Sequence, residues 1–537
     1  MACECKKTDF GQIQCSHRLL DVVHFRRIFK DSKTFVDMNI LRSLQQTSDD
    51  FESLMELTQC KPPEELLQKF LDENFETIGE IEDWIPRDFK ENPAFLDKIV
   101  NEKIKKFAAE LVKIWPKLAR KVKDDVFDNQ SKYTLVPVPN GFVVPGGRFK
   151  EIYYWDCLWI IKGLLLSEMF ETSKGILENC FHLVETYGFV PNGNRVYYLN
   201  RSQPPVLTMT VAEYLQETND VDWLRKNIGS IEKELNYWVN EKSVVVEKDG
   251  KEYVMAHYTT NNFTPRPESY FEDIQMGSIF ELDDEKAKCY AEIRSSAESG
   301  WDFSSRWIFD SETYELSHTQ TTRVVPVDLN SFLCKSYAEI SKFFHTLGDE
   351  EKCSYWKTKS DLLQIAIEEV LYDEKDGIWH DFDLKLGKIR REFYTSNFTP
   401  LWAETYDLTK SEIYGGKAVE YLKNYGIMEY QGGIPTSLIP TGQQWDFPNS
   451  WAPFQDIVIT GLYKSGHSEA QEIATELAKR WITANMIGFE ETHAMFEKYD
   501  ARFPGKYGGG GEYEVQSGFG WTNGVALKLI NQFYTKE

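Results

Sequence analysis

The chain has 537 residues and no apolar run long enough to span a bilayer. It carries no G-x-x-x-x-G-K-[ST] phosphate loop, no G-x-S-x-G nucleophile elbow and no H-E-x-x-H zinc signature. P-loop nucleotide chemistry, α/β-hydrolase chemistry and zincin chemistry therefore lack their sequence marks. The nine histidines are scattered, so no catalytic metal is expected. Positive charge is short: 61 Lys and Arg stand against 85 Asp and Glu, a net charge of −24. That balance disfavours nucleic acid and anionic membrane surfaces as partners, and it suits a neutral small molecule better than a phosphorylated one. The nine cysteines, Cys3 and Cys5 among them, are odd in number and follow neither a disulfide framework nor zinc spacing. Reduced thiols in a cytoplasmic protein are the expectation, since the first 35 residues contain no signal-like apolar region and the last nine are too polar for a lipid-anchor tail. An extracellular location is the alternative. The N-x-S/T sequons at Asn129, Asn200, Asn262 and Asn397 weigh little, because such triplets arise by chance in a long chain. Strand signals are also few, the best being a hairpin around Asp249-Gly250.

Helix-period segments and aromatics are what the chain has in quantity. Amphipathic or apolar stretches run over 95–122 (with Pro116 expected to kink or end it), 152–169, 174–187, 207–217, 220–242, 328–346, 350–371, 409–425, 451–465, 468–485 and 522–535. Several form pairs with short connectors. Asp328 reads as an N-cap, Gly348-Asp349 ends one helix and starts another, and Gly466 does the same between two later helices. Roughly a dozen helices in successive hairpins predict an all-α body wound into a ring. Residues 1–50 are less regular and read as an N-terminal extension; 51–537 read as one large domain.

Aromatic residues make up 14% of the chain, with 15 Trp and 27 Tyr. A large core explains many of them; a site that stacks sugar rings explains their clustering on glycine-rich connections. Those connections also hold carboxylates among aromatics: Asp156 in "YYWD", Asp302 in "SGWDFSSRW", Asp446 in "QWDFPNSW", Glu497 in "FEKYD" and Glu512 in "GGGGEY". A carboxyl group between indoles and phenols is partly desolvated, which raises its pKa and suits a general acid. Glycoside hydrolysis needs two such groups, one to protonate the leaving oxygen and one to attack or to activate water. A lone Trp-Asp pair is more often an N-cap or a salt-bridged Asp, but three on separate loops point to a shared cleft. Arg148 in "PGGRF", Arg201 in "LNRSQPP" and Arg266 in "TPRPES" could hold hydroxyls in fixed geometry, with Asn192 and Gln203 adding amide donors and acceptors.

"PGGRFKEIYYWD" at 145–156 and "QWDFPNSWAP" at 444–453 resemble the two signature motifs of trehalases, glycoside hydrolases of family thirty-seven, in their animal-type form. "FVPNGNRVYYLNRSQPP" (189–205), "RPESY" (266–270), "SGWDFSSRW" (299–307) and "EKYD…GGGGEYEVQSGFGWTNGV" (497–525) follow in the family's order. The resemblance implies an (α/α)6 toroid, no cofactor, and inverting hydrolysis of α,α-trehalose to two glucoses. It places the general acid on Asp302 and the general base on Glu497. It places sugar contacts on Arg148, Trp155, Asp156, Asn192, Arg201, Ser202, Gln203, Arg266, Pro267, Glu268, Gly300 and Glu512, with the tetraglycine segment as a lid. Cys157, Leu158 and Ser450 depart from the family's usual residues, but none of these replaces a catalytic group. Two other readings stand beside it: a toroid glycosidase for longer α-glucans, and a non-catalytic trehalose sensor.

Overall fold

The computed structural model describes residues 12–77 and 79–536. Its helices sort by how their sequences distribute apolar residues. "DCLWIIKGLLL" (Asp156–Leu166), "APFQDIVITGLYK" (Ala452–Lys464) and "GWTNGVALKLINQFY" (Gly520–Tyr534) are apolar on most faces and are buried on most faces. "EKIKKFAAELV" (Glu102–Val112) and "VDWLRKNIGSIEKELNYWVNE" (Val221–Glu241) carry one apolar stripe and a charged remainder, and lie outside. Twelve helices, labelled here in chain order, alternate between these kinds. The outer ones are α1 (Glu102–Val112), α3 (Phe170–Tyr187), α5 (Val221–Glu241), α7 (Glu350–Ala366), α9 (Ser411–Asn424) and α11 (Ser468–Thr492). The inner ones are α2 (Asp156–Leu166), α4 (Leu207–Thr218), α6 (Val327–Leu347), α8 (Thr399–Ala403), α10 (Ala452–Lys464) and α12 (Gly520–Tyr534).

Each inner helix packs on the next, and α12 closes the ring against α2. The outer helices lie against the inner ones, as α7 does on α6, α11 on α10 and α1 on α12. The result is the expected (α/α)6 toroid. The closing contact is tight because of two glycines. A Cβ at Gly524 would stand 2.0 Å from the Trp159 carbonyl oxygen, and one at Gly163 2.8 Å from the Gly524 Cα. Asp456 of α10 ties three inner helices together: it accepts from Trp159 Nε1 of α2 at 3.1 Å and pairs with Lys528 of α12.

The connections are strongly asymmetric in length. Inner-to-outer turns are short, as at Gly348, which takes a left-handed φ of +82°, and Gly466, at +76°. The outer-to-inner connections are long and all lead into the N-termini of inner helices, so they gather at one end of the ring. They include the expected hairpin, Ser243–Lys248 with Lys251–Ala256, and a short pairing of Asn449–Trp451 with Lys498–Asp500.

Several expectations change in detail. The stretch 95–122 is broken into Phe95–Lys98, α1, a turn Trp115–Leu118 with Pro116 at its start, and a strand Ala119–Val122, because Asn101 caps α1 and resets the chain. Asp328 does not cap α6; it lies in the first turn and pairs with buried Arg306 at 2.7 Å. The helix Asp283–Glu298 was not expected, since its first turns are charged, and α8 is a five-residue inner helix too short for periodicity to show. Residues 50 and 51 lie within the helix Leu44–Leu57, and Leu19, Leu20, Phe35 and Phe51 join the same hydrophobic core as the ring.

Candidate active site

All fourteen residues expected at the site lie on the long connections or on the first turn of α2. All of them except Ser202 and Pro267 line one cavity at that end of the ring. Ser202 is buried behind it, its Oγ donating to the Val190 carbonyl at 2.7 Å and its N–H to Glu298 at 3.0 Å. Pro267 opens the turn Pro267–Ser269 that presents its neighbours. Asp446, one of the three Trp-Asp aspartates, is not in the cavity either. Its carboxylate accepts from Ser304, Ser305, Ser437 and Thr441 and so ties the connection before α6 to its own connection before α10.

Glu497 directly precedes the strand Lys498–Asp500, whose pairing places it beside Trp451. Its Oε1 accepts from the Tyr513 hydroxyl at 2.7 Å and its Oε2 from the Gln516 N–H at 3.1 Å. Burial pushes its carboxyl above the ordinary value, against the pull of Lys498, of these two donors and of Arg148. Asp302 follows buried Trp301, and its backbone carbonyl accepts from Gln444 Nε2. Burial raises its carboxyl to about 6, opposed chiefly by Arg266. Two carboxyl groups with raised pKa therefore face one cavity, which is the composition a proton donor and a proton acceptor require. Asp156 is likewise raised well above its ordinary value, first by burial and then by the neighbouring Glu497. Glu512 is raised to about 7 by burial, despite Arg266.

The arginines are held by carboxylates. Arg201 Nη2 donates to Glu268 at 2.7 Å, while its Nε and Nη1 are buried without a hydrogen-bond partner, as is Glu268 Oε2. Arg266 is gripped by Asp273 at 2.7 Å and reaches Glu512 at 3.2 Å. Buried N–H groups cost free energy unless satisfied, so a ligand rich in hydroxyls fits this wall. Burial works to raise Glu268, but Arg201, Arg266 and Arg294 hold it below its ordinary value.

Aromatic rings complete the enclosure. Trp445 stacks on Trp451 with centroids 4.0 Å apart and planes 4° apart, and Trp301 lies against Trp445 at 5.3 Å. Trp155 and Trp521 meet edge to face at 5.3 Å. Gly300, at φ +75°, lets the chain pass under Trp155, where a Cβ would stand 2.8 Å from the ring. Over the top lie Gly510 and Gly511, with φ of +75° and +90°, and they deliver Glu512 and Tyr513 to the cavity.

Sequence reasoning missed Tyr153, Tyr198, Gln444, Trp445, Trp451, Tyr513 and Trp521, all of which line the cavity. Most stand inside the motifs already quoted, but composition does not reveal which of several adjacent aromatics faces inward. Lys498 was missed as well. Its Nζ donates to Gln444 Oε1 and the Gly510 carbonyl at 3.1 Å, and burial lowers it to about 8.

The trehalase family matches residues 27–534 of the chain. A protein of Tenebrio molitor named trehalase is 51% identical over 98% of this chain and 95% of its own length. A human protein of the same name is 44% identical over 97% of this chain and 89% of its own. Among solved structures, a neutral trehalase from Saccharomyces cerevisiae superposes with a TM-score of 0.58 at 24% identity, over 74% of each chain, and speaks for the fold.

Proposed function

The chain belongs to the trehalase family, and on that premise we propose that it hydrolyses α,α-trehalose to two molecules of glucose with inversion, Asp302 serving as general acid and Glu497 as general base. The observation that carries the reading is the presence of two buried carboxyl groups with raised pKa in a cavity whose arginine and carboxylate wall has unsatisfied hydrogen-bonding atoms.

In this scheme Glu497 takes a proton from a water molecule, which attacks the anomeric carbon of one glucose. The bond from that carbon to the bridging oxygen breaks, and Asp302 gives its proton to the oxygen. The attacked glucose leaves as the β anomer and the other, whose anomeric bond is untouched, as the α anomer. Tyr513 and the Gln516 N–H hold Glu497 ionised and aimed. The Arg266 cation beside Asp302 helps to stabilise the carboxylate left after proton transfer. Arg148, Arg201, Asn192 and Gln203 take sugar hydroxyls, and the indole faces take the C–H faces of the rings.

The test is glucose release from trehalose by the wild-type protein, Asp302→Asn and Glu497→Gln, with maltose and a longer α-glucan alongside. Turnover confined to trehalose and lowered about 10²–10⁴-fold in each variant supports the assignment. Preference for the glucan, or full activity in either variant, overturns it.

A further inference from the structure

Residues 31–37 meet three of the site's connections at once. The helix Ser32–Val36 packs on the Pro267–Ser269 turn. Lys33 Nζ, buried, pairs with Glu151 at 2.7 Å; the Tyr197 hydroxyl donates to Asp37 at 2.6 Å; Ser32 Oγ donates to Glu272 at 3.0 Å. Asp31, which caps the helix, accepts from Arg148 Nε at 2.6 Å and from Nη2 at 2.8 Å, and from the Lys33 N–H at 2.9 Å. A single carboxylate thus starts the helix and forks onto one edge of a cavity-lining guanidinium.

On its other side the same guanidinium lies 4.8 Å from the centroid of the Tyr513 ring, and Tyr513 donates to Glu497. The backbone N–H of Arg148 donates to Gln516 Oε1 at 2.8 Å, and the Gln516 N–H in turn donates to Glu497 Oε2. With Nε and one N–H of Nη2 committed to Asp31, Nη1 keeps both of its N–H groups for sugar hydroxyls. An arginine without such a clamp keeps its rotamer freedom, and the substrate must then freeze it on binding.

We infer that Asp31 is a positioning residue of the active site: through the Arg148 fork it presents Nη1 to the substrate and moderates the positive charge beside Glu497. The inference rests on the reading of Glu497 as the base and trehalose as the substrate. It gives the segment before residue 50 a part in turnover.

Asp31→Asn isolates the effect, because Asn caps a helix about as well as Asp but cannot supply the charged fork. Steady-state kinetics on trehalose should show KM raised about tenfold with a smaller change in kcat. The acid limb of kcat/KM should move to lower pH, since an unbalanced Arg148 cation favours ionised Glu497. In an Arg148→Ala background the same substitution should change neither quantity further, whereas a merely structural role would persist there. Asp31→Glu, which retains the charge, should lie between wild type and Asp31→Asn in both readouts. It provides the comparison even where the Asn variant folds poorly. Wild-type turnover with KM and acid limb unchanged in both Asp31 variants overturns the inference, as does an undiminished effect in the Arg148→Ala background. Absence of trehalose turnover in the wild type instead overturns the functional reading beneath it.

Discussion

In the proposed scheme Asp302 and Glu497 carry the same functional group and must hold opposite protonation states during turnover. Burial raises both, so both limbs of the pH–rate profile lie above the range of free carboxyl groups. Activity should fall on the alkaline side as Asp302 loses its proton through about 6 in the free enzyme, and on the acid side as Glu497 gains one. Asp302→Asn should abolish the alkaline limb along with most of kcat. The same raised pKa acts against stability: the penalty is absent below the unfolded value near 3.9, grows through about 6, and is complete above it. Asp302→Asn should therefore raise the thermal midpoint at pH 8 and leave it nearly unchanged at pH 4. A midpoint lowered at pH 8 would show that the carboxylate is stabilised by its surroundings instead. Gly300→Ala is the steric counterpart. It forces a side chain into positive φ and against Trp155, and should destabilise by about 1–3 kcal/mol, measured by denaturant unfolding, while raising KM.

Among the elements, the segment 508–518 does most to complete the site, bringing Glu512, Tyr513 and Gln516 to the cavity beside Glu497, the proposed base, which directly precedes the strand Lys498–Asp500. Tyr513→Phe removes one donor from Glu497. Its carboxyl should then rise further, moving the acid limb of kcat/KM to higher pH, with kcat lowered about 10–100-fold. An unmoved limb would mean that the hydroxyl does not act on the base. The ring helices were mostly legible because 3.6-residue periodicity persists over 11–25 residues in most of them. It failed for α8, where "TPLWA" is a single apolar turn, and for Asp283–Glu298, whose buried residues include Glu292, Arg294 and Glu298. Those charges read as surface in sequence, yet Glu298 is paired with Lys242 at 2.7 Å. The Trp-Asp pattern likewise drew Asp446 into the candidate set, because an aspartate that organises loops and one that faces substrate have the same neighbours in sequence.

For the whole molecule, the asymmetry between short and long connections decides where function sits. Six long connections converge on one end of the ring, so residues as distant in sequence as Arg148 and Glu512 line one cavity. Behind the cavity the inner helices must hold the ring closed, and Asp456 of α10 contributes by bridging α2 and α12. Burial opposes its ionisation, but Lys528 and Lys162 keep its carboxyl well below the ordinary range. Its stabilising effect is present above the unfolded pKa and lost as pH falls through the depressed value. Asp456→Ala leaves Lys528 and the Trp159 N–H without their shared acceptor, and should cost about 3–5 kcal/mol at pH 7, read from the shift in unfolding midpoint. The ring itself was foreseeable from helix pairing, whereas the integration of residues 12–57 into its core was not, because short helices joined by irregular turns carry little periodic signal.

The central claim is single displacement by Asp302 and Glu497. Proton NMR of the protein with trehalose, following glucose anomers before mutarotation, tests it most directly. Equal initial amounts of α- and β-glucose are predicted. Early α-glucose alone would mean retention at the attacked carbon and would contradict the assignment of Glu497 as a base acting on water.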